Sequence, residues 1–185
     1  MSKLAVFFPG IGYTTDRPLL YFARCLTDKL GYNEKRKLSY QRKGKEDIRN
    51  NPDAMKKTIL ELYEQAENEL SDIDWSLYDD VLVISKSIGT AVACMYAQNN
   101  MLNNTKHVMY TPLAATFENK PSNAIAFIGT NDPWSDIKDI KSLAKDSGIR
   151  LEIYEGCNHS METDDVFENI DILKDIIQKT EGFLS

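Results

Sequence analysis

The sequence predicts an α/β protein, a three-layer α/β/α sandwich around a mainly parallel sheet of roughly six strands. Three observations predict it. Short, near-continuous apolar runs recur along the chain, as strands buried on both faces require. Longer segments with apolar residues at three- to four-residue spacing separate them, as amphipathic helices would. Polar, glycine-bearing motifs follow the apolar runs, where right-handed crossovers gather the C-terminal ends of parallel strands along one edge.

The first strand is Leu4-Ala5-Val6-Phe7-Phe8. It is too short for the apolar core of a signal peptide, and Pro9-Gly10 stands where a small-residue cleavage site would be. It is read as a core strand and the protein as cytoplasmic. A helix over Pro18 to Leu30 follows, then a weaker strand over Lys37 to Arg42. Asn51-Pro52 supplies an N-cap and a proline at the first helical position. Met55, Ile59, Tyr63, Ala66 and Leu70 then trace one helical face. Val81-Leu82-Val83-Ile84 is a strand and Ser87 to Asn99 a helix. His107 to Tyr110, Ala124 to Ile128 and Leu151 to Tyr154 are further strands, with a helix over Asp136 to Asp146 between the last two. Val166, Ile170, Leu173, Ile176 and Ile177 mark a C-terminal helix. No repeat, low-complexity tract or linker interrupts the pattern, so residues 1–185 are read as one domain.

Composition narrows the function. The chain has 185 residues, 42% hydrophobic and 27% charged, ordinary values for a globular domain with a real core. No stretch approaches the ~20 apolar residues of a membrane span. A formal net charge of −6 argues against nucleic acid and anionic membranes as partners. The one basic cluster, Lys35-Arg36-Lys37 through Arg42, Lys43 and Lys45, reads as a solvated sheet edge. Three cysteines and two histidines offer no zinc-type ligand spacing. Cys25 and Cys94 fall within helical patterns and read as small core residues. Cys157, two residues before His159, is placed to line a site there.

Three motifs carry chemistry. After Val81 to Ile84 comes Ser85-Lys86-Ser87-Ile88-Gly89, a serine between small residues at an abrupt strand-to-helix junction. A nucleophile held on such a turn needs small neighbours two positions away, and Ser85 and Gly89 qualify. The competing reading is an ordinary serine N-cap. After Ala124 to Ile128 comes Gly129-Thr130-Asn131-Asp132-Pro133-Trp134, where Asp132 can be held ionised and aimed by backbone N–H groups. The alternative is an Asx-turn, and Asp136 and Asp139 are nearby competitors inside the next helix. After Leu151 to Tyr154 comes Glu155-Gly156-Cys157-Asn158-His159, a loop histidine free to reach across the sheet edge. Taken alone it reads as an exposed polar residue. His107, the only other candidate base, opens a strand at the opposite edge. Serine, aspartate and histidine follow three different strands, in that order.

With these motifs the chain resembles the α/β-hydrolase family, specifically its small, lidless members of the minimal esterase or dienelactone-hydrolase type. The resemblance spans essentially the whole chain. It implies a serine hydrolase with Ser87, Asp132 and His159 as catalytic triad, acting on a small-molecule ester or thioester through an acyl-enzyme. The loop Pro9-Gly10-Ile11-Gly12-Tyr13 is similar to the family's His-Gly-x loop, with Pro9 in the histidine position. By that similarity the backbone N–H groups of Ile11 and Ile88 form the oxyanion hole. The connection 111–123 is too short for a lipase-type lid, which implies compact acyl groups. Tyr13, Phe117, Trp134 and Met161 are candidates to line the pocket.

Two other readings compete. Gly10-x-Gly12 after the first strand suggests a nucleotide- or flavin-binding module, but Thr15 stands at the third glycine position. The second strand also lacks the ribose-binding acid. A hydrolase fold serving as a non-catalytic interaction protein is the other.

Overall fold

The computed structural model describes residues 2–44 and 46–185; Met1 and Lys45, the last member of the basic cluster, lie outside them. The chain alternates strand and helix: β1 (Lys3–Phe8), α1 (Pro18–Lys29), β2 (Glu34–Lys37), α2 (Pro52–Glu69), β3 (Asp80–Lys86), α3 (Ile88–Asn99), β4 (Lys106–Tyr110), β5 (Ala124–Gly129), α4 (Ile137–Asp146), β6 (Arg150–Tyr154) and α5 (Val166–Leu184). Short 3₁₀ turns cover Trp75–Leu77 and Ala114–Asn119.

The six strands form one sheet in the order β2-β1-β3-β4-β5-β6, and each neighbouring pair is parallel. The apolar runs are explained by burial on both faces. Leu4, Val6 and Phe8 of β1 join α2 and α3 in one core cluster. Ala5 and Phe7, pointing the other way, join residues of α1 and α5 in a second. Ile140 and Ala144 of α4 cover Ile128 of β5. The three-layer sandwich follows.

Strand order reverses direction between β1 and β3. From β1 the chain moves outward to β2, then returns to β3 and proceeds through β4, β5 and β6 to the other edge. Loops leaving β1 and β3 therefore part to opposite sides and open a crevice at their C-terminal ends. That crevice positions the site.

The second strand lies earlier than its sequence suggests. It pairs over Glu34–Lys37 with Leu4 to Phe7 of β1, and the Leu38 N–H donates to the Phe7 carbonyl. Beyond that point β1 ends, and an edge strand has no second neighbour. Residues 39–43 instead run beside α2, where the N–H groups of Ser39, Gln41 and Lys43 donate to the side chains of Glu69, Gln65 and Glu61. In the basic cluster, Lys35 and Arg36 pair with Asp28 and Asp72. Cys25 is exposed, because α1 buries Leu19, Leu20, Ala23, Leu26 and Thr27 and turns Cys25 to the opposite face. Cys94 is buried, as its helical pattern implies. Among the described residues, no helix is long and apolar enough to cross a membrane.

Candidate active site

The junction of β3 and α3 is sharply strained. Ser87 has φ 56° and ψ −129°, a combination that costs a non-glycine residue on the order of 1–3 kcal/mol. Its side chain caps no helical N–H, so the ordinary N-cap reading does not describe it. Tight packing explains the small residues around it. A Cβ on Gly89 would lie 2.3 Å from the Pro9 carbonyl oxygen and 2.4 Å from that of Phe8. Only glycine lets α3 start against the end of β1. Ser85, fully buried, donates its hydroxyl to the Val108 carbonyl at 3.3 Å.

Asp132 follows β5 in a turn whose geometry its carboxylate helps fix, accepting the Trp134 N–H at 2.8 Å. His159 follows β6. Its Nδ1–H points at both carboxylate oxygens of Asp132, at 2.9 and 2.8 Å. With that proton on Nδ1, Nε2 is free to accept from the Ser87 hydroxyl at 2.7 Å. Ser87, Asp132 and His159, on loops after three different strands, thus form one unbroken hydrogen-bonded chain. The Trp134 ring stacks on the imidazole with centroids 5.5 Å apart, holding its plane. Burial lowers the His159 pKa below the usual histidine value; the Asp132 hydrogen bond opposes this and the nearby Lys86 charge reinforces it. The ring is therefore neutral at pH 7 and able to receive a proton.

Ser87 and His159 open into a cleft of about 380 Å³, also lined by Ile11, Tyr13, Ile88 and Trp134. No hydrogen bond from the backbone N–H of Ile11 or Ile88 is found among the described residues, which leaves both donors available to a ligand. The Ile88 N–H opens α3 and adds the positive end of the helix dipole. Tyr13 does more than line the cleft: its hydroxyl accepts the Leu19 N–H, capping α1 where a dinucleotide loop would present a pyrophosphate.

Structures already solved share this arrangement of elements. An α/β serine hydrolase homologue from Coxiella burnetii superposes with a TM-score of 0.62 at 13% identity, covering 96% of this chain and 84% of that one. An esterase from Pyrococcus furiosus gives 0.64 at 15% identity, covering 99% and 82%. A serine hydrolase without lid from Xanthomonas campestris gives 0.57 at 12% identity, covering 96% and 82%. No protein-family model matches the sequence, and no curated protein matches it either.

The chain has the α/β-hydrolase fold.

Within this α/β-hydrolase fold, the connection 111–123 carries a single 3₁₀ turn, Ala114–Asn119, packed on α3 and α4. Two expected pocket residues are elsewhere. Phe117 lies in that turn and is buried against Ile128, Ile140 and Ala144, because the turn closes the α4 layer rather than the cleft. Met161 is buried with Leu19 and Ile176 between α1 and α5 and lines a separate groove. Its backbone is left-handed, with φ 62°. Cys157 is fully buried beneath the loop, where its carbonyl would sit 2.0 Å from a Cβ on Gly129; it does not line the cleft. His107, near the N-terminal end of β4 and so at the opposite strand ends from the site, is buried and takes no part in this chain of hydrogen bonds.

Sequence reasoning missed the polar wall. Arg42, Glu46 and Asp47, from the segment leading to α2, and Lys86, from inside the elbow motif, all line the cleft. Lys86 was detectable as a charged residue closing an apolar strand. Nothing local marked Arg42, which reaches the cleft only because residues 39–43 leave the sheet.

Proposed function

We propose that this protein is a serine hydrolase acting on a small carboxylic ester or thioester through an acyl-enzyme, with Ser87 as nucleophile, His159 as general base and acid, and Asp132 as its orienting carboxylate. The observation that carries the reading is the continuous Asp132–His159–Ser87 hydrogen-bonded chain ending on a strained serine. The names of the structural neighbours, an esterase and a serine hydrolase without lid, support the same reading.

The geometry supports each step of this reading. His159 Nε2 takes the Ser87 hydroxyl proton as Oγ bonds to the substrate carbonyl carbon. The carbonyl oxygen becomes an oxyanion, which the N–H groups of Ile11 and Ile88 receive. The imidazolium, stabilised by Asp132, returns the proton to the departing alcohol or thiol as the bond to carbon breaks. Water then enters, gives its proton to His159 and attacks the acyl-enzyme; Ser87 leaves with that proton and the acid is released. The protein's groups suffice without metal or organic cofactor.

Labelling with a fluorophosphonate probe tests this directly. Wild type is expected to react and Ser87→Ala to lose both labelling and turnover while keeping its far-UV circular dichroism. Labelling that persists in Ser87→Ala would overturn the assignment. A panel of short aryl esters, acyl thioesters and amides then names the bond.

A further inference from the structure

We propose that the cleft contains a carboxylate-binding subsite beside Ser87, with Lys86 as its cation, so that the substrate is an ester or thioester bearing a second, ionised carboxyl group. This rests on the hydrolase reading above.

Lys86 is 1% exposed, a burial that lysines seldom reach without an ionic partner. Its ammonium makes one hydrogen bond, to Thr111 Oγ1 at 2.6 Å, and lies 4.9 Å from the centre of the Tyr13 ring. No ion pair reaches it among the described residues. Asp132 and Glu162 act on it only at longer range, and the Asp132 oxygens are engaged by His159 and the Trp134 N–H. An ammonium carries three donors, so two remain.

Lys86 lines the same cleft as Ser87 and His159, and so does Tyr13, whose ring lies over its ammonium. Arg42 adds a second cation there: its Nη2 donates to the Glu46 carbonyl, while its Nε is buried without a partner. A methionine would fill the Lys86 space with no charge to desolvate, so packing alone gives no reason for an ammonium. Burial pushes the Lys86 pKa down to about 7. A carboxylate arriving from the substrate would favour the charged form again, and each group would relieve the other's desolvation. Glu46 and Asp47 on the same wall disfavour a dianion, which argues for a monocarboxylate rather than a phosphate.

The carboxylate can sit on the acyl or the alcohol side, and two substrate pairs distinguish them. One pair is p-nitrophenyl hydrogen glutarate against p-nitrophenyl valerate; the other is 3-acetoxybenzoate against phenyl acetate. In one pair, wild-type kcat/KM is expected to favour the anionic member by about tenfold or more, the size of a charge-assisted contact. Lys86→Met and Lys86→Gln should each bring that ratio close to one, and Lys86→Arg should retain part of it. Calorimetry gives a readout independent of turnover: monomethyl glutarate, a monocarboxylate, should bind Ser87→Ala and not the Ser87→Ala/Lys86→Met double variant. Ratios near or below one in both pairs, an unchanged ratio in both Lys86→Met and Lys86→Gln, or binding of inorganic phosphate but not monomethyl glutarate would overturn the subsite. Failure of the hydrolase reading looks different: wild type would neither label with fluorophosphonate nor cleave any ester, while monomethyl glutarate binding to Ser87→Ala would remain.

Discussion

Replacing Ser87 by glycine and by alanine isolates the strain stored at the elbow. Both changes remove the hydroxyl and its bond to His159, so that loss cancels between them. They differ in the backbone. Alanine keeps a Cβ at φ 56°, ψ −129°, where the cost is on the order of 1–3 kcal/mol. Glycine adopts this region freely but gives the unfolded chain more freedom, which costs about 0.4–1 kcal/mol. The difference leaves Ser87→Gly more stable than Ser87→Ala by roughly 0.5–2 kcal/mol, or about 1–8 °C in Tm for a domain of this size. Packing does not reverse the sign, since Ser87 is only partly buried. Thermal melts and urea titrations of the two variants, neither of which should turn over substrate, measure it. An alanine variant as stable as the glycine variant, or more so, would refute the strain argument.

Other perturbations follow from the same geometry. Gly89→Ala drives a Cβ into the Phe8 and Pro9 carbonyls and should cost about 1–3 kcal/mol by denaturant titration, with loss of activity as the Ile11 loop is displaced. Asp132→Asn should lower kcat by about 10⁴-fold with a modest change in KM, because orientation and charge act in the transition state. Burial holds His159 below the usual histidine pKa, so kcat/KM should rise with pH along a limb whose midpoint lies under 6.5 and then level off. Buried His107, with no partner for Nδ1, is pushed down to about 4 from 6.5. Below pH 6.5 the unfolded chain binds the proton that the folded chain refuses, so this contribution is complete above 6.5 and lost as pH falls toward 4. Between pH 7 and 5, wild type should lose about 2 kcal/mol more in urea unfolding than His107→Leu does. A series of p-nitrophenyl alkanoates should peak at short chains, since connection 111–123 supplies no apolar cover over the cleft; kcat/KM rising to long chains would contradict this.

The layered sheet and the order of its chemistry are legible in the amino-acid sequence. Leu4 to Phe8, Val81 to Ile84 and Ala124 to Ile128 are apolar without alternation, a pattern that only burial on both faces makes stable. Parallel strands then gather their ends on one edge, so Ser87, Asp132 and His159 could be ranked by position alone. The elbow was equally legible, because a serine flanked two residues on by glycine carries the signature of its own backbone constraint. Side chains whose neighbours are distant in sequence take their places only once the chain is folded. Tyr13 and Trp134 face the cleft while Phe117 and Met161 fill the helix layers, although all four are equally apolar along the chain. Cys25 turns outward because α1 meets the sheet along its other face. The strand expected over 37–42 ends at Lys37, one residue short of the end of β1, its sole partner, and that termination carries Arg42 to the cleft. Lys86 is charged in sequence and buried in the fold for the same reason: local pattern fixes which face a residue takes, but only the packed partners on that face decide whether it meets water, a ring or an empty site.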